Sequence, residues 1–286
     1  SAYRIFPTTL GLAEAARQRN WDTLLDAPEK IESVPPLPAT ISRSLESTRM
    51  AILREGDWQV SFHYGQIHPS HAQSEALNFE AYYKDTKLTH DPGTVGYGSP
   101  MHRGYFATGL AHNVPLVEGL GQEKWEKGRL LLFDEKQVRV AAIQEKYRGS
   151  FSAERSLQIS AGRLVDSVKL SSSAPDQKPL RLGLALHLLG KIELPDSFES
   201  VKEVWITKQG GSFAYWSGMK TAAFKDSASF LVAYPSRKMR VTFQLAGPFQ
   251  VTMGSAPDVP PRRNEALYIE TVATGLSITT TIESVE

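Results

Sequence analysis

The sequence predicts an all-β protein, a large antiparallel β-sandwich preceded by a short helical N-terminal segment. Two observations predict this class. From about Ser47 onward, apolar residues recur at a period of two, as in strands with one buried face. Turns rich in glycine and proline separate these runs at regular intervals. More than 230 residues follow this pattern, which is too many for a seven-stranded domain of about 100 residues. We therefore expect a double-size sandwich with many strands.

The N-terminal segment has a helical pattern instead. Thr8-Thr9 can cap a helix over residues 10–19, and Asn20 can cap a second helix over residues 21–25. Prolines between Pro28 and Pro38 then end any helix. The predicted organisation is a helical and linker segment at residues 1–45 and a sandwich at residues 46–286.

The clearest strand is a run of alternating leucines, at positions 180, 182, 184, 186 and 188. Similar alternation occurs around residues 138–142, 241–245 and 276–282. His187 lies opposite the leucine face, so we expect it on the solvent side of its strand. Packing inside the sandwich is the favoured role for Trp205, Tyr215 and Trp216, although aromatic faces also stack on sugars.

Composition excludes several functional classes. The net charge is +1, so no global field attracts nucleic acid or an anionic membrane. The absence of cysteine excludes disulfides and thiolate metal sites. No apolar run approaches the roughly 18–20 residues that span a bilayer. These properties fit a bacterial cytoplasm and a periplasm equally well.

Six of the seven histidines fall between residues 63 and 112. Histidine has an unperturbed pKa of roughly 6.5, nearest to neutral pH among the side chains. Its neighbours here include tyrosine, arginine, aspartate and glycine-rich turns. This segment therefore predicts proton-transfer or metal chemistry, with the rest of the chain as scaffold.

Several blocks of this segment occur in a characteristic order and spacing. They are Tyr64-Gly65, His68-Pro69-Ser70-His71 running to Asn78-Phe79-Glu80, Asp91-Pro92-Gly93-Thr94, Arg103 with Tyr105-Phe106, and His112-Asn113-Val114-Pro115-Leu116-Val117-Glu118-Gly119 with Gln122. Together they resemble the heparinase II/III-like polysaccharide lyases, including their oligo-alginate lyase relatives. The departure is at Val114-Pro115, where the family usually has Thr-Val.

The resemblance implies a C-terminal β-supersandwich that follows an (α/α) toroid, with an active site between the two. It implies β-elimination of an acidic, uronate-containing polysaccharide or oligosaccharide. Residues 1–45 would then be the end of the toroid, and the chain alone is expected to be inactive. The alternative is a non-catalytic carbohydrate-binding or structural sandwich.

The resemblance places the sandwich's catalytic histidine at His71, for acid–base work or carboxylate contact. Arg103 is the candidate for the substrate carboxylate, because a guanidinium binds carboxylate bidentately. Its alternative role is an ion pair with Glu80 or Asp91. The remaining predicted substrate contacts are Tyr64, His68, Tyr97, Tyr105 and Asn113. The three tyrosines could equally be strand packing.

Some relatives bind a structural zinc near this loop. Gln73 stands where they carry a second histidine, and an amide is a poor zinc ligand. We therefore predict no cofactor; Asp91 and His112 would be the ligands if zinc binds. Without zinc, Asp91, His112 and Gln73 are predicted to orient the histidine loop. His63, His90 and His102 are expected to be structural. Residues Pro260–Arg263 are predicted to form a charged loop.

Overall fold

The computed structural model describes Trp21 and residues 40–66, 72–123, 125–201 and 211–285. The predicted helices at residues 10–19 and 21–25 lie outside the described residues, apart from Trp21. So do Trp205, His68 and His71. The described part of Ser42–Glu286 is mainly strand, and the predicted all-β sandwich class is confirmed.

Apart from a long connection between Lys87 and Pro115, the strands follow one another along the chain with mostly short connections. They are β1 (Arg43–Leu45), β2 (Met50–Glu55), β3 (Trp58–His63), β4 (Asn78–Tyr83), β5 (Thr86–Lys87), β6 (Pro115–Val117), β7 (Arg129–Asp134), β8 (Arg139–Arg148), β9 (Phe151–Ser160), β10 (Arg163–Ser172), β11 (Leu180–Leu188), β12 (Lys191–Glu193), β13 (Glu199–Ser200), β14 (Ser217–Phe224), β15 (Ser227–Tyr234), β16 (Arg237–Leu245), β17 (Phe249–Pro257), β18 (Arg263–Ala273) and β19 (Gly275–Ser284).

These strands form three antiparallel sheets. A five-stranded sheet has the sequential order β1-β2-β3-β4-β5. An eight-stranded sheet has the order β12-β15-β16-β19-β10-β9-β8-β7, and a six-stranded sheet has the order β13-β14-β17-β18-β11-β6. Tight turns make the sequential pairings possible. Gly149, between β8 and β9, has a φ of 55°, in the left-handed region that glycine adopts without steric cost.

One hydrophobic core joins the three sheets. The alternating leucines of β11 (Leu182, Leu184, Leu186) are buried and share this core with Phe243 of the eight-stranded sheet and Phe62 of the five-stranded sheet. Full burial of such side chains contributes about 1.5–3 kcal/mol each. The period-two pattern thus gives β11 the apolar face that the sandwich needs.

The opposite face of β11 is buried as well, so the expected surface position of His187 is wrong: His187 is 0% exposed. A π-helical turn, His102–Phe106, and a 3-10 turn, Gly109–Ala111, contribute to a second apolar cluster on that face. Small residues make room for this layer. A Cβ on Gly183 would lie 2.4 Å from the Ile269 carbonyl oxygen, so a larger residue does not fit there.

Aromatic rings fill this second layer. Trp216 is buried and packs on Phe213, with ring centroids 5.2 Å apart. Phe213 in turn packs on Tyr268 at 5.0 Å. The expectation that Trp216 packs inside the sandwich is confirmed. Among the described residues, no helix is long and apolar enough to cross a membrane.

Candidate functional site

Asn113 lies where the sheets meet, and both polar atoms of its side chain form hydrogen bonds. Its backbone N–H donates to Asn78 Oδ1 at 3.1 Å. Its side-chain Nδ2 donates to the carbonyl oxygens of Phe79 (3.0 Å) and His90 (3.1 Å). Its Oδ1 accepts from the backbone N–H of His187 at 2.7 Å. One buried amide therefore fixes β4, β11 and the loop after β5 relative to one another.

Asp91 and His112 form a charged pair beside Asn113, in which His112 is buried and Asp91 is partly buried. His112 Nε2 donates to the Phe106 carbonyl oxygen at 3.1 Å, and Nδ1 lies 3.0 Å from Asp91 Oδ2. With both nitrogens facing acceptors, the imidazole is protonated. Burial alone would lower the pKa of His112, but the Asp91 carboxylate outweighs it and raises this pKa. His112 correspondingly holds the pKa of Asp91 well below its usual range, against the effect of burial.

The Asp91 carboxylate also organises the turn that follows it. Its Oδ1 accepts from the Gly93 backbone N–H at 2.7 Å, and its Oδ2 accepts from the Asn78 side-chain amide. Gln73, the third predicted loop-orienting residue, approaches the same turn, with Nε2 3.4 Å from the Gly93 carbonyl oxygen. The structure thus brings Asp91, His112 and Gln73 together around the start of this turn.

Behind this cluster lies a buried arginine. Arg155 forms a bidentate ion pair with Asp166, with Nε and Nη2 at 2.7 and 2.6 Å from the carboxylate oxygens. Its Nη1 donates to the carbonyl oxygens of Leu77, at 2.7 Å, and of Asn113. The guanidinium carbon lies 4.4 Å from the centre of the Phe79 ring. Arg155 therefore ties the eight-stranded sheet to both Asn113 and the start of β4.

Sequence reasoning assigned no role to this pair, although a signal was present. Arg155 stands between Ala153 and Leu157 on the buried face of β9, and Asp166 stands between Leu164 and Val168 on the buried face of β10. An arginine and an aspartate on apolar strand faces predict mutual pairing, because a lone buried charge is costly.

The segment 67–71, which contains His68 and His71, lies outside the described residues, but both of its flanks are described and fixed. The Gln66 side-chain amide donates to the Gln73 carbonyl oxygen. Gln122 supports this contact: its Nε2 donates to Gln66 Oε1 at 3.2 Å, and its Oε1 accepts from the Ala76 N–H at 2.7 Å. These buried or part-buried bonds hold together the two chain ends that bracket the segment.

A further bond joins this flank to the turn that carries Arg103. The Ser74 N–H donates to the Ala107 carbonyl oxygen at 3.2 Å, immediately after the π-helical turn His102–Phe106. Arg103 is exposed. The alternative ion pair with Glu80 is absent among the described residues, where Glu80 contacts Lys87 instead. An ion pair of Arg103 with Asp91 is likewise absent there.

The three candidate tyrosines have different environments. Tyr64 and Tyr105 are fully buried, whereas Tyr97 is 61% exposed. The Tyr97 ring meets His102 edge-on with centroids 4.6 Å apart, and His102 Nδ1 lies 2.9 Å from Thr94 Oγ1. The exposed Tyr97 remains a candidate sugar contact, whereas the buried Tyr64 and Tyr105 side chains pack inside the domain.

Three donor groups that could hold a metal ion converge here. One ligand atom each of Glu75, Asp91 and His112 lies within 4.8 Å of the others. The set contains a single imidazole, and both of its nitrogens are engaged with Asp91 and a backbone carbonyl. Structural zinc sites are built mainly from cysteine and histidine. Within the described part of the chain, these three groups fit a hydrogen-bonded anchor better than a zinc site.

The other buried histidine has the opposite character. His187 Nε2 donates to the Leu110 carbonyl oxygen at 2.7 Å. Burial lowers the pKa of His187 to about 4, so the ring is neutral at neutral pH. His90, closer to the surface, contacts Asp258 through Nε2 at 3.0 Å. Both histidines hold neighbouring segments in place.

Comparison with known proteins identifies the family of this chain. The family model described as heparinase II/III-like, C-terminal, matches residues 38–271, well over half of the chain. The chain belongs to this family. The resemblance seen in the sequence is thereby confirmed, and the domain is related to the polysaccharide lyases. No curated protein matches the chain.

Solved structures share the fold of this heparinase II/III-like domain. A heparinase III has a TM-score of 0.64 and 15% identity, over 99% of this chain and 40% of that chain. Heparan sulfate lyase HepC from Pedobacter heparinus has a TM-score of 0.63 and 13% identity, over 99% and 40%. A putative aldose 1-epimerase from Escherichia coli K12 has a TM-score of 0.51 and 8% identity, over 82% and 98%. The chain thus spans about two fifths of the heparinase structures, and the likeness is one of fold.

Proposed function

We propose that this domain forms one wall of a polysaccharide lyase active site that cleaves an acidic, uronate-containing polysaccharide by β-elimination. His71 is the catalytic residue contributed by this wall, and Arg103 binds the substrate carboxylate. The observation that carries the proposal is the Ser74–Ala107 bond. It joins the flank three residues after His71 to the turn that presents Arg103.

The chemistry explains why these residue types belong together. A base removes the proton at C5 of the uronate, and the electron pair forms the C4–C5 double bond while the glycosidic oxygen on C4 leaves with a proton. Charge builds up on the carboxylate during this step, so a guanidinium that binds it bidentately lowers the barrier. An imidazole titrates near neutral pH, which suits it to proton transfer. Tyr97, which is 61% exposed, would contact a neighbouring sugar.

Such a site requires the loop ends to be rigid. Catalytic groups must be held within about 0.5 Å of their working positions. Here the flanks of the 67–71 segment are fixed by Gln66 and Gln122, and the adjoining loop is fixed by Asn113 and the Asp91–His112 pair. The buried polar network therefore supports a positioning role for the scaffold.

The opposite wall would come from an (α/α) toroid partner that carries the remaining acid–base groups. The share of the heparinase structures that this chain covers is in keeping with such a division. We therefore expect the 286-residue chain alone to leave heparin, heparan sulfate and alginate uncleaved. Strong absorbance of unsaturated product in the low ultraviolet from this chain alone would contradict the division.

The test of His71 uses a protein that contains both walls. His71→Ala is expected to lower kcat by about 100-fold or more, the usual contribution of a general acid or base, while the Kd for substrate changes little. His63→Gln is the matched control, since His63 ends β3 within the five-stranded sheet. Unchanged turnover by His71→Ala would instead favour a non-catalytic carbohydrate-binding or structural sandwich.

A further inference from the structure

A second cationic surface lies at the hairpin between β17 and β18. Arg262 is 70% exposed, and Arg263 beside it is exposed as well. Arg263 is held along one edge: Nε donates to Ser255 Oγ at 2.9 Å, and Nη2 donates to the Tyr215 carbonyl oxygen at 2.8 Å. Its Nη1 has no hydrogen bond to a described residue. The guanidinium is thus pre-positioned with a free donor.

Tyr215 connects this hairpin to the turn that carries Arg103. Its carbonyl oxygen is bound by Arg263, while its hydroxyl end packs on Gly104, where a Cβ would lie only 2.4 Å from the Tyr215 oxygen. A larger residue at position 104 would push this ring away. The half-buried Tyr215 therefore contacts both arginine-bearing turns, one through its backbone carbonyl and the other through its ring. One side of the ring also packs on Tyr105, with centroids 5.9 Å apart.

The carboxylate at this hairpin is already partnered. The Asp258 side chain is only 7% exposed. Its Oδ1 lies 3.0 Å from His90 Nε2, and its Oδ2 lies 3.8 Å from Arg262 Nε. Asp258 can neutralise at most one of the two arginine charges, so the exposed surface of the hairpin keeps a net positive charge. In a chain whose net charge is +1, two exposed arginines that are adjacent in sequence form a local positive field, and Arg263 binds the backbone of Tyr215.

We propose that Arg262, Arg263 and Tyr215 form a second sugar subsite, which binds the carboxylate or sulfate of a sugar residue other than the one held by Arg103. The substrate class rests on the proposed function; the site itself rests on the geometry of the hairpin. Guanidinium groups match planar or tetrahedral oxyanions through paired N–H donors. The aromatic ring supplies an apolar face for the sugar. The two arginine-bearing turns would then bind two anionic groups of one polysaccharide chain.

The test measures binding of size-defined uronate oligosaccharides to the purified 286-residue chain by titration calorimetry. Arg262→Gln is expected to raise the Kd of oligosaccharides long enough to reach both arginine-bearing turns about tenfold, the usual effect of losing one charge-assisted hydrogen bond. Tyr215→Leu is expected to raise it as well, whereas Tyr215→Phe retains binding. Arg240→Gln is the matched control, because Arg240 is also exposed and also lies 3.8 Å from a carboxylate, but it belongs to β16 of the eight-stranded sheet.

The dependence of the Kd on oligosaccharide length distinguishes the subsite from general charge attraction. Arg262→Gln should abolish the affinity gained on lengthening the oligosaccharide and leave the Kd of the shortest binder unchanged. Equal loss in Arg262→Gln and Arg240→Gln would indicate attraction by net charge alone and overturn the subsite. Absence of oligosaccharide binding by the unaltered chain would overturn it too.

Failure of the subsite can be separated from failure of the proposed function. If His71→Ala loses turnover while Arg262→Gln binds normally, the lyase proposal stands and the subsite is refuted. If Arg262→Gln weakens binding while His71→Ala retains turnover, the subsite stands and the lyase proposal is refuted.

Discussion

Replacing Arg155 with methionine should destabilise the domain more than any exposed arginine substitution, because Arg155 is the buried link behind the site. The change removes the cation from Asp166, which is itself buried. It also removes the donor to the carbonyl oxygens of Leu77 and Asn113. Methionine approximates the volume of the arginine stem, so the effect is mainly electrostatic rather than a packing defect.

The magnitude follows from the burial of both partners. Breaking a buried ion pair by removing one partner costs about 3–5 kcal/mol, so we expect Arg155→Met to lower the free energy of unfolding by about 4 kcal/mol. The double variant with Asp166→Leu leaves no unpaired charge. It retains the two unsatisfied carbonyl oxygens, and its expected loss is about 2 kcal/mol. The double variant should therefore be more stable than the single one.

The assay is urea unfolding at pH 7, with the free energy extrapolated to water. Arg129→Met is the matched control: Arg129 pairs with Glu145 at 2.7 Å, but both side chains are at least 60% exposed. Such a pair contributes less than about 1 kcal/mol. If Arg155→Met lost no more stability than Arg129→Met, or if adding Asp166→Leu made it worse, the assigned role of the buried pair would be refuted.

Three further expectations concern pH, packing and metal. His187 has a folded pKa of about 4 against 6.5 unfolded, so its contribution to stability is full above pH 6.5 and is lost as pH falls towards 4. At about 1.4 kcal/mol per pKa unit this loss is about 3 kcal/mol. The free energy of unfolding of His187→Gln measured between pH 4 and 7 should lack this loss, and an identical pH profile in both proteins would contradict the assignment. Gly183→Ala should lower the free energy of unfolding by about 1–3 kcal/mol, because its Cβ would meet the neighbouring strand. Gly96→Ala, in open space, should change it little, and equal effects would refute the packing argument. Added zinc should leave the Tm unchanged, because Asp91 and His112 already satisfy one another; a saturable rise in Tm with one bound ion would overturn that interpretation.

The fold was predictable because it depends on a local pattern. The period-two leucines of residues 180–188 predict a strand with one apolar face, and β11 has that face in the core. The position of His187 was not predictable in this way, because alternation assumes that the other face meets solvent. In the folded domain, the turns at His102–Phe106 and Gly109–Ala111 cover that face, and nothing in the strand itself indicates this.

The site was predictable to the extent that its residues belong to ordered sequence blocks. Those blocks single out Asp91, His112 and Asn113, which the structure brings together. Arg155 acts on Asn113 from 42 residues away, and the Gln66–Gln122 bond spans 56 residues. Contacts of this range depend on how three sheets pack, which the pattern of a single strand does not specify.

The most direct test of the central claim is the chemical nature of the product. A protein that combines this domain with the proposed toroid partner would be incubated with a uronate oligosaccharide, and the products would be analysed by mass spectrometry and ultraviolet absorbance. β-Elimination predicts a new non-reducing end that carries a C4–C5 double bond, absorbs in the low ultraviolet and has gained no water. Fragments that have gained one water and lack this absorbance would indicate hydrolysis and contradict the account.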